Sequence, residues 1–506
     1  MSPLPCTFAI LEAASGINPD SLASHPRLPT REVCATVMIN SLAPSWLGVP
    51  ADANALHSGV WPGSAERNDA GELVIGGVSA KTLVESYGSP LYVMDQSELE
   101  GRAAHFLGIV ERACAAHAVT GSVYYASKAL ISGHVVDWVS RQGLGFDVAS
   151  GGEMAIALAG GASAATFEFQ GNNKSLLEVR QALVAGVGCI VVDAPIEAVR
   201  INHVAGELGI TASVMVRVNT GVHADTHEYL ATAREDQKFG LSPGETFDLV
   251  ADIRAMEHLS FEGLHSHIGS QIFQVEGFLE AATRLMDLYA TLLPHGPVAT
   301  LNLGGGFGIA YTEADQLLNI ESMIAEIVDH TASRAHHHDV PMPHLAFEPG
   351  RIISGPAGVT LYSVGVTKPV TVHDDDGGEA QRLYVSVDGG MSDNARPALY
   401  RANYSTRIAS RVSPALPLLV RVVGKHCESG DIVVDADYLP GDVEPGDLLA
   451  VAATGAYCYS LSSNYNALGR PPMVGVHEGH HFLMVAGENI EDVLARDQGF
   501  TETAGD

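Results

Sequence analysis

Cysteine is scarce: the 506-residue chain has six, at positions 6, 34, 114, 189, 427 and 458, none in CxxC spacing. This argues against a disulfide framework and against a structural zinc site, and a reducing cytoplasm is the expected setting. Basic residues are also few, 28 Lys plus Arg against 59 Asp plus Glu, for a formal net charge of −31. Such a balance repels nucleic acid phosphates and anionic lipid, and no Lys/Arg run offsets it. Long apolar runs are missing too, and no basic residue precedes Arg27, so neither a membrane span nor a secretory signal is expected. What remains is a composition 46% hydrophobic and 17% charged, that of a folded globular protein with room for two or three domains.

Between about residues 120 and 350, short β-type runs alternate with helical ones. The β runs are "SVYYASKA", "LGFDVAS", "ATFEFQG", "CIVVDAP", "SVMVRVN", "FEGLHSHIG", "ATLNLGGG" and "HLAFEPG". Eight strands joined by helices over roughly 250 residues predict a (β/α)8 barrel rather than an open sheet. The helical run "GRAAHFLGIVERACAAH" before the first strand is expected to fill the outer-ring position that the last strand leaves vacant. After Gly355 the pattern becomes apolar/polar alternation broken by turn signals, which predicts an all-β domain. The early runs "ELVIGGVSA" and "SPLYVMD" share that character and are expected to pair with it, making the β domain discontinuous. The expected division is a weakly ordered leader over 1–55, β segments over 56–95, the barrel over 96–355, the β domain over 356–490 and a tail over 491–506.

A barrel of this type carries its active site at the C-terminal ends of its strands. Those ends are polar here: Lys128, Asp147, His267 with Ser270, the loop Gly304, Gly305 and Gly306, and the segment Glu348, Pro349, Gly350 and Arg351. Singly, each has an ordinary structural reading: a solvated lysine, a core histidine, a glycine turn, a local ion pair. Together they supply what pyridoxal 5'-phosphate requires, namely an amine for its aldehyde, an anion for its ring nitrogen, a flat stacking partner and a phosphate cradle. Glu348 suits the ring nitrogen and His267 the ring face, while Ser270 and the three glycines suit the phosphate.

The ordered motifs "YYASKA", "HSHIGSQ", "GGGFG", "EPGR", "DGGMSDNARPALY", "HCESGD" and "GAYCYSLSSNYN" resemble those of the barrel-type pyridoxal-phosphate decarboxylases, and among them the diaminopimelate decarboxylases, from residue 60 to about 490. The resemblance implies removal of CO2 from the D-centre of meso-2,6-diaminopimelate to give L-lysine. It implies that Lys128 links to the cofactor, that Arg351, Arg396 and Tyr400 bind the distal carboxylate, and that Tyr457 touches cofactor and substrate. It further implies a head-to-tail homodimer in which the "HCES" loop enters the partner's site, with Cys427 as proton donor and Glu428 on the distal amine. A thiol is a competent acid near neutral pH. Two rivals are weighed: an ornithine- or arginine-type decarboxylase, which has no distal carboxylate to bind, and a non-catalytic pyridoxal-phosphate-binding protein. The chain departs from the family pattern at Gln170, where histidine is usual, and at "VAGEN", where a basic end is usual.

Overall fold

In the computed structural model, the structure describes residues 40–222, 238–373 and 378–500. Eight strands close into a parallel barrel: β5 (Gly121–Ala126), β6 (Gly145–Val148), β7 (Phe167–Phe169), β8 (Cys189–Val192), β9 (Ala212–Arg217), β10 (Leu259–His265), β11 (Thr300–Asn302) and β12 (His344–Phe347). Closure is made between the last and first of these, Leu345 opposite Gly121 and Phe347 opposite Val123. The strands are short and none of their residues is exposed, as expected when both faces are covered.

The intervening segments are helical because they are apolar at helical spacing and capped. Ser132, Ser150, Ser175 and Ser242 each accept the N–H three residues on, and the last two form full capping boxes with Glu178 and Glu245. Gly186 and Gly209 end their helices in the left-handed conformation. The helix Gln96–Ala115 packs against β5 and against the helices Gly133–Arg141 and Ile320–His337, which is the outer-ring position expected of it.

The second body is a nine-stranded sheet. Its strands are β4 (Leu91–Asp95), β13 (Gly358–His373), β14 (Glu379–Val387), β15 (Thr406–Ile408), β16 (Pro417–Val423), β17 (Ile432–Pro440), β18 (Leu448–Val451), β19 (Met473–His477) and β20 (His480–Val485). β4, from "SPLYVMD", lies between β13 and β19, antiparallel to the first and parallel to the second, so the β domain is discontinuous. The other early run behaves differently. "ELVIGGVSA" folds on itself, as β2 (Leu73–Ile75) and β3 (Val78–Ser79) in a separate three-stranded sheet with β1 (Glu66–Arg67). The cause is local: Gly76 and Gly77 have φ of +57° and +84°, the two-residue turn that returns a strand to its own continuation before a distant edge can compete.

Residues 40–55 also differ from the expectation of a weakly ordered leader. Leu42, Ala43, Leu47 and Val49 pack on Leu419, Ala436 and Tyr438 of β16 and β17. Polar ties support this, Asn40 Nδ2 donating to the Gln381 carbonyl at 2.7 Å and Arg407 Nε to that of Ala55 at 2.8 Å. The earlier part of the leader, residues 1–39, lies outside the described residues.

Candidate active site

The C-terminal strand ends of the barrel open into a cavity of about 1230 Å³. Lys128, His267, Ser270, Gly306, Glu348, Gly350, Arg351, Arg396, Tyr400 and Tyr457 all line it. Residues from β5, β10, β11, β12 and the β domain therefore meet at one mouth, as the strand-end argument requires.

Lys128 follows β5 and faces the cavity, with its Nζ 3.3 Å from Oδ2 of the buried Asp147 at the end of β6. Burial disfavours the ammonium, but Asp147, and behind it Tyr457 and Glu348, outweigh burial and raise the Lys128 pKa above its ordinary value. The other oxygen of Asp147, Oδ1, is buried without a hydrogen-bond partner.

Glu348 stands at the end of β12, fully enclosed. Its Oε1 accepts from Gln170 Nε2 at 2.6 Å, from Asn302 Nδ2 at 2.8 Å and from His265 Nε2 at 2.9 Å. Burial pushes this carboxyl up, but the His265 interaction, with the Lys128 ammonium behind it, outweighs burial and holds it below the usual carboxylate range. Asn302 also donates to Glu168 Oε2 at 2.6 Å, and burial together with Glu348 pushes Glu168 well above its ordinary pKa. Burial and mutual repulsion thus work against the charged form of Glu168, while the donors around Glu348 favour its charged form.

His267 is held neutral: burial, then Lys128 and Arg217, depress its pKa well below 6.5. Its Nδ1 accepts the Gly305 N–H at 3.3 Å, which fixes the ring against the glycine loop. A Cβ on Gly305 would stand 1.9 Å from the Glu348 carbonyl, and one on Gly304, whose φ is +70°, 2.4 Å from that of Ser266. Only glycine lets this loop thread between the two strand ends. The Pro349 carbonyl accepts from Ala126 N–H at 3.0 Å, tying the ends of β12 and β5 together.

Also lining the cavity, Arg351 donates to Ser270 Oγ at 2.9 Å and lies over the Tyr457 ring, 4.6 Å from its centroid. Arg396 is buried and donates to Tyr404 at 2.5 Å. Tyr400 lines the same wall but is largely exposed. Cys427 and Glu428 are exposed on the turn between β16 and β17 and do not line this cavity. That turn is firmly built, with Asp431 accepting from the N–H groups of His426 (2.8 Å) and Met391 (2.6 Å), and Asn466 Oδ1 accepting from Cys427 N–H at 3.1 Å.

Sequence reasoning did not single out His265, Asn302 or Tyr311, and noted Gln170 only as a departure. The three donors to Glu348 are ordinary residues whose role depends on closure of the barrel, which brings the ends of β7, β10 and β11 together with the end of β12. A polar residue inside an apolar strand run, as in "FEFQ" and "LNL", is the signal that points to them.

Pyridoxal phosphate fits these residues on structural grounds. A cavity-facing amine, a carboxylate held ionised in a buried site, a neutral imidazole beside it and a loop that tolerates no Cβ match its reactive carbon, ring nitrogen, ring face and phosphate. Barrel, attached β domain and site together define a barrel-type pyridoxal-phosphate decarboxylase. Residues 108–355 match the pyridoxal-binding domain of the pyridoxal-dependent decarboxylases. The chain is 46% identical over 444 residues to the diaminopimelate decarboxylase of Mycobacterium tuberculosis, covering 86% of this chain and 97% of that one. Against the Bacillus subtilis diaminopimelate decarboxylase it is 41% identical over 447 residues, 87% and 98% of the two chains. The crystal structure of M. jannaschii diaminopimelate decarboxylase in complex with L-lysine superposes with a TM-score of 0.78 at 32% identity, covering 86% of this chain and 98% of that one. The chain belongs to the diaminopimelate decarboxylase family.

Proposed function

We propose that the chain decarboxylates meso-2,6-diaminopimelate at its D-centre, releasing CO2 and L-lysine, with pyridoxal phosphate as cofactor. The observation that carries this reading is the pairing, in one cavity, of the Lys128 and Glu348 apparatus with two arginines, Arg351 and Arg396. A substrate with a second amino acid head needs such a cationic wall; a plain diamine precursor such as ornithine does not.

When bound, the cofactor ring withdraws electrons from the carbon that loses CO2. Lys128 presents the amine for its aldehyde, Asp147 and the segment from Pro349 to Arg351 fix the frame around that amine, and Glu348 keeps the ring nitrogen charged. His267 supplies a flat neutral face, and Ser270 with Gly304, Gly305 and Gly306 surrounds the phosphate. Arg351, Arg396 and Tyr400 hold the distal carboxylate, and Tyr457 closes the wall between the two halves. Cys427 gives a proton to the carbon that lost CO2, and Glu428 holds the distal amine.

Since Cys427 and Glu428 do not line the cavity of their own chain, we assign them to the cavity of a second copy in a homodimer. The working division is the barrel over 96–355 and a β domain built from 56–95 and 356–490, and the cytoplasm is the setting. Assay of the purified protein with meso-diaminopimelate, ornithine and arginine tests the reading. Turnover of the first alone is expected; turnover confined to the other two would overturn it.

A further inference from the structure

Tyr311 follows the glycine loop, is buried, and stands where the two cavity arginines come together. Its hydroxyl accepts a hydrogen bond from Arg351, and the Arg396 guanidinium lies 4.4 Å from the centroid of its ring. A single phenol thus bonds one guanidinium through its hydroxyl and lies under both, close to Arg396 and more distant from Arg351 at 5.9 Å. Arg396 is confined from the far side by Tyr404, whose ring meets that of Tyr311 edge-on at 5.1 Å and 76°.

The backbone that carries Tyr311 is fixed on both sides. Its N–H donates to Asp315 Oδ2 at 2.9 Å and its carbonyl accepts from Ser405 N–H at 3.1 Å. Two residues earlier, the Gln271 side chain pairs with Ile309 as a strand would, donating to its carbonyl at 2.7 Å and accepting from its N–H at 3.2 Å. Gln271 holds φ of +62°, a conformation few non-glycine residues adopt, so the surrounding contacts impose it. The Arg351 Nε, meanwhile, is buried with no protein partner, and the bonds of both guanidiniums described here go to hydroxyls. Two cations held close by neutral oxygens, with a buried donor left over, form a site incomplete without an anion.

We propose that Tyr311 is a positioning residue for substrate selection: it sets the spacing and tilt of Arg351 and Arg396 so that both engage one carboxylate. This rests on the reading that the arginine pair receives the distal carboxylate. An arginine pair with no such spacer would repel and splay, and a carboxylate could then satisfy only one of them at a time. The hydroxyl bonds Arg351, whereas the ring lies under Arg396 at 4.4 Å and more loosely under Arg351 at 5.9 Å, so Tyr311→Phe removes the first contact and keeps the second.

The test is calorimetric binding to the pyridoxal-phosphate-loaded protein of two ligands, L-lysine, which retains the distal carboxylate, and 1,5-diaminopentane, which lacks it. Tyr311→Phe should weaken L-lysine roughly 10- to 100-fold, the range for losing a hydrogen bond to a charged group, and leave the diamine within about twofold. Tyr311→Leu, which also removes the ring beneath Arg396, should cost more on L-lysine alone. In steady state the loss should fall on KM for meso-diaminopimelate rather than on kcat. Equal weakening of both ligands, or an unchanged preference in Tyr311→Phe, overturns the inference while leaving the functional reading standing. No preference for L-lysine in the unsubstituted protein overturns the functional reading itself.

Discussion

Glu348 is where opposing effects are most finely set. A carboxyl enclosed by the barrel would ordinarily take up a proton, yet three donors on Oε1 and the nearby Lys128 keep it charged. The same donors fix its orientation, so charge and position come from one set of contacts. Glu348→Gln should therefore retain cofactor at high concentration but lower kcat by about two to three orders of magnitude, the usual scale for removing a preorganised electrostatic partner. Steady-state kinetics beside the visible spectrum of the loaded protein checks this; near-normal kcat would remove Glu348 from the role given to it. Lys128→Ala, treated with borohydride in the presence of pyridoxal phosphate, should yield no modified peptide at that position by mass spectrometry, where the unsubstituted chain is labelled at Lys128. Gln170 follows the same logic. It replaces an imidazole with an amide that still donates to Glu348, so the departure from the family pattern keeps the hydrogen bond and gives up a group that could titrate.

At the scale of loops and strands, the turn bearing Cys427 depends on a neighbour far along the chain. Asn466 receives the Cys427 N–H, and the segment holding Asn466 is anchored by Glu488, which accepts from Asn464 Nδ2 at 2.6 Å, Arg470 N–H at 3.0 Å and Arg470 Nε at 2.8 Å. Arg470, above all, draws the Glu488 pKa from its ordinary 4.5 down to about 2. A carboxyl depressed on folding adds stability that is whole above its unfolded pKa and fades as pH falls from 4.5 toward 2. Glu488→Gln should lower stability by about 1–2 kcal/mol at pH 7, a value discounted for partial exposure, and the difference should vanish near pH 2. Thermal melts of both proteins across that range measure it; a difference independent of pH would refute the attribution. Much of this architecture can be read from sequence. The alternation of eight β runs and helices identifies the barrel because no residue of the strands is exposed and most of the helices between them carry a local cap. The self-pairing of "ELVIGGVSA" was missed because a two-glycine turn overrides any tendency to join a distant sheet. β15 went unnoticed because three residues are too few to display a period. Lys128, His267, Glu348 and the glycine loop were legible as strand-end polar residues, whereas Asn302 and Tyr311 take their roles only from contacts across the barrel mouth.

At the scale of the whole molecule, the described chain forms most of a site but leaves its proposed proton donor on an outer turn. Lys128 lines the cavity and Cys427 does not, although both belong to the motif set that the family shares. The arrangement makes sense if two copies exchange their "HCES" turns, so that each cavity is closed by its partner and an isolated chain is incomplete. Substituting Cys427 by Ala should then reduce kcat by about two to four orders of magnitude, as for loss of a general acid, without displacing the cofactor. The most direct test is complementation: Lys128→Ala and Cys427→Ala chains, each nearly inactive alone, are co-expressed with different tags. A mixed dimer holds one intact cavity, so the random mixture should recover about a quarter of full activity. A mixture that stays as inactive as its parents, with mixed dimers present, would contradict a site made by two chains.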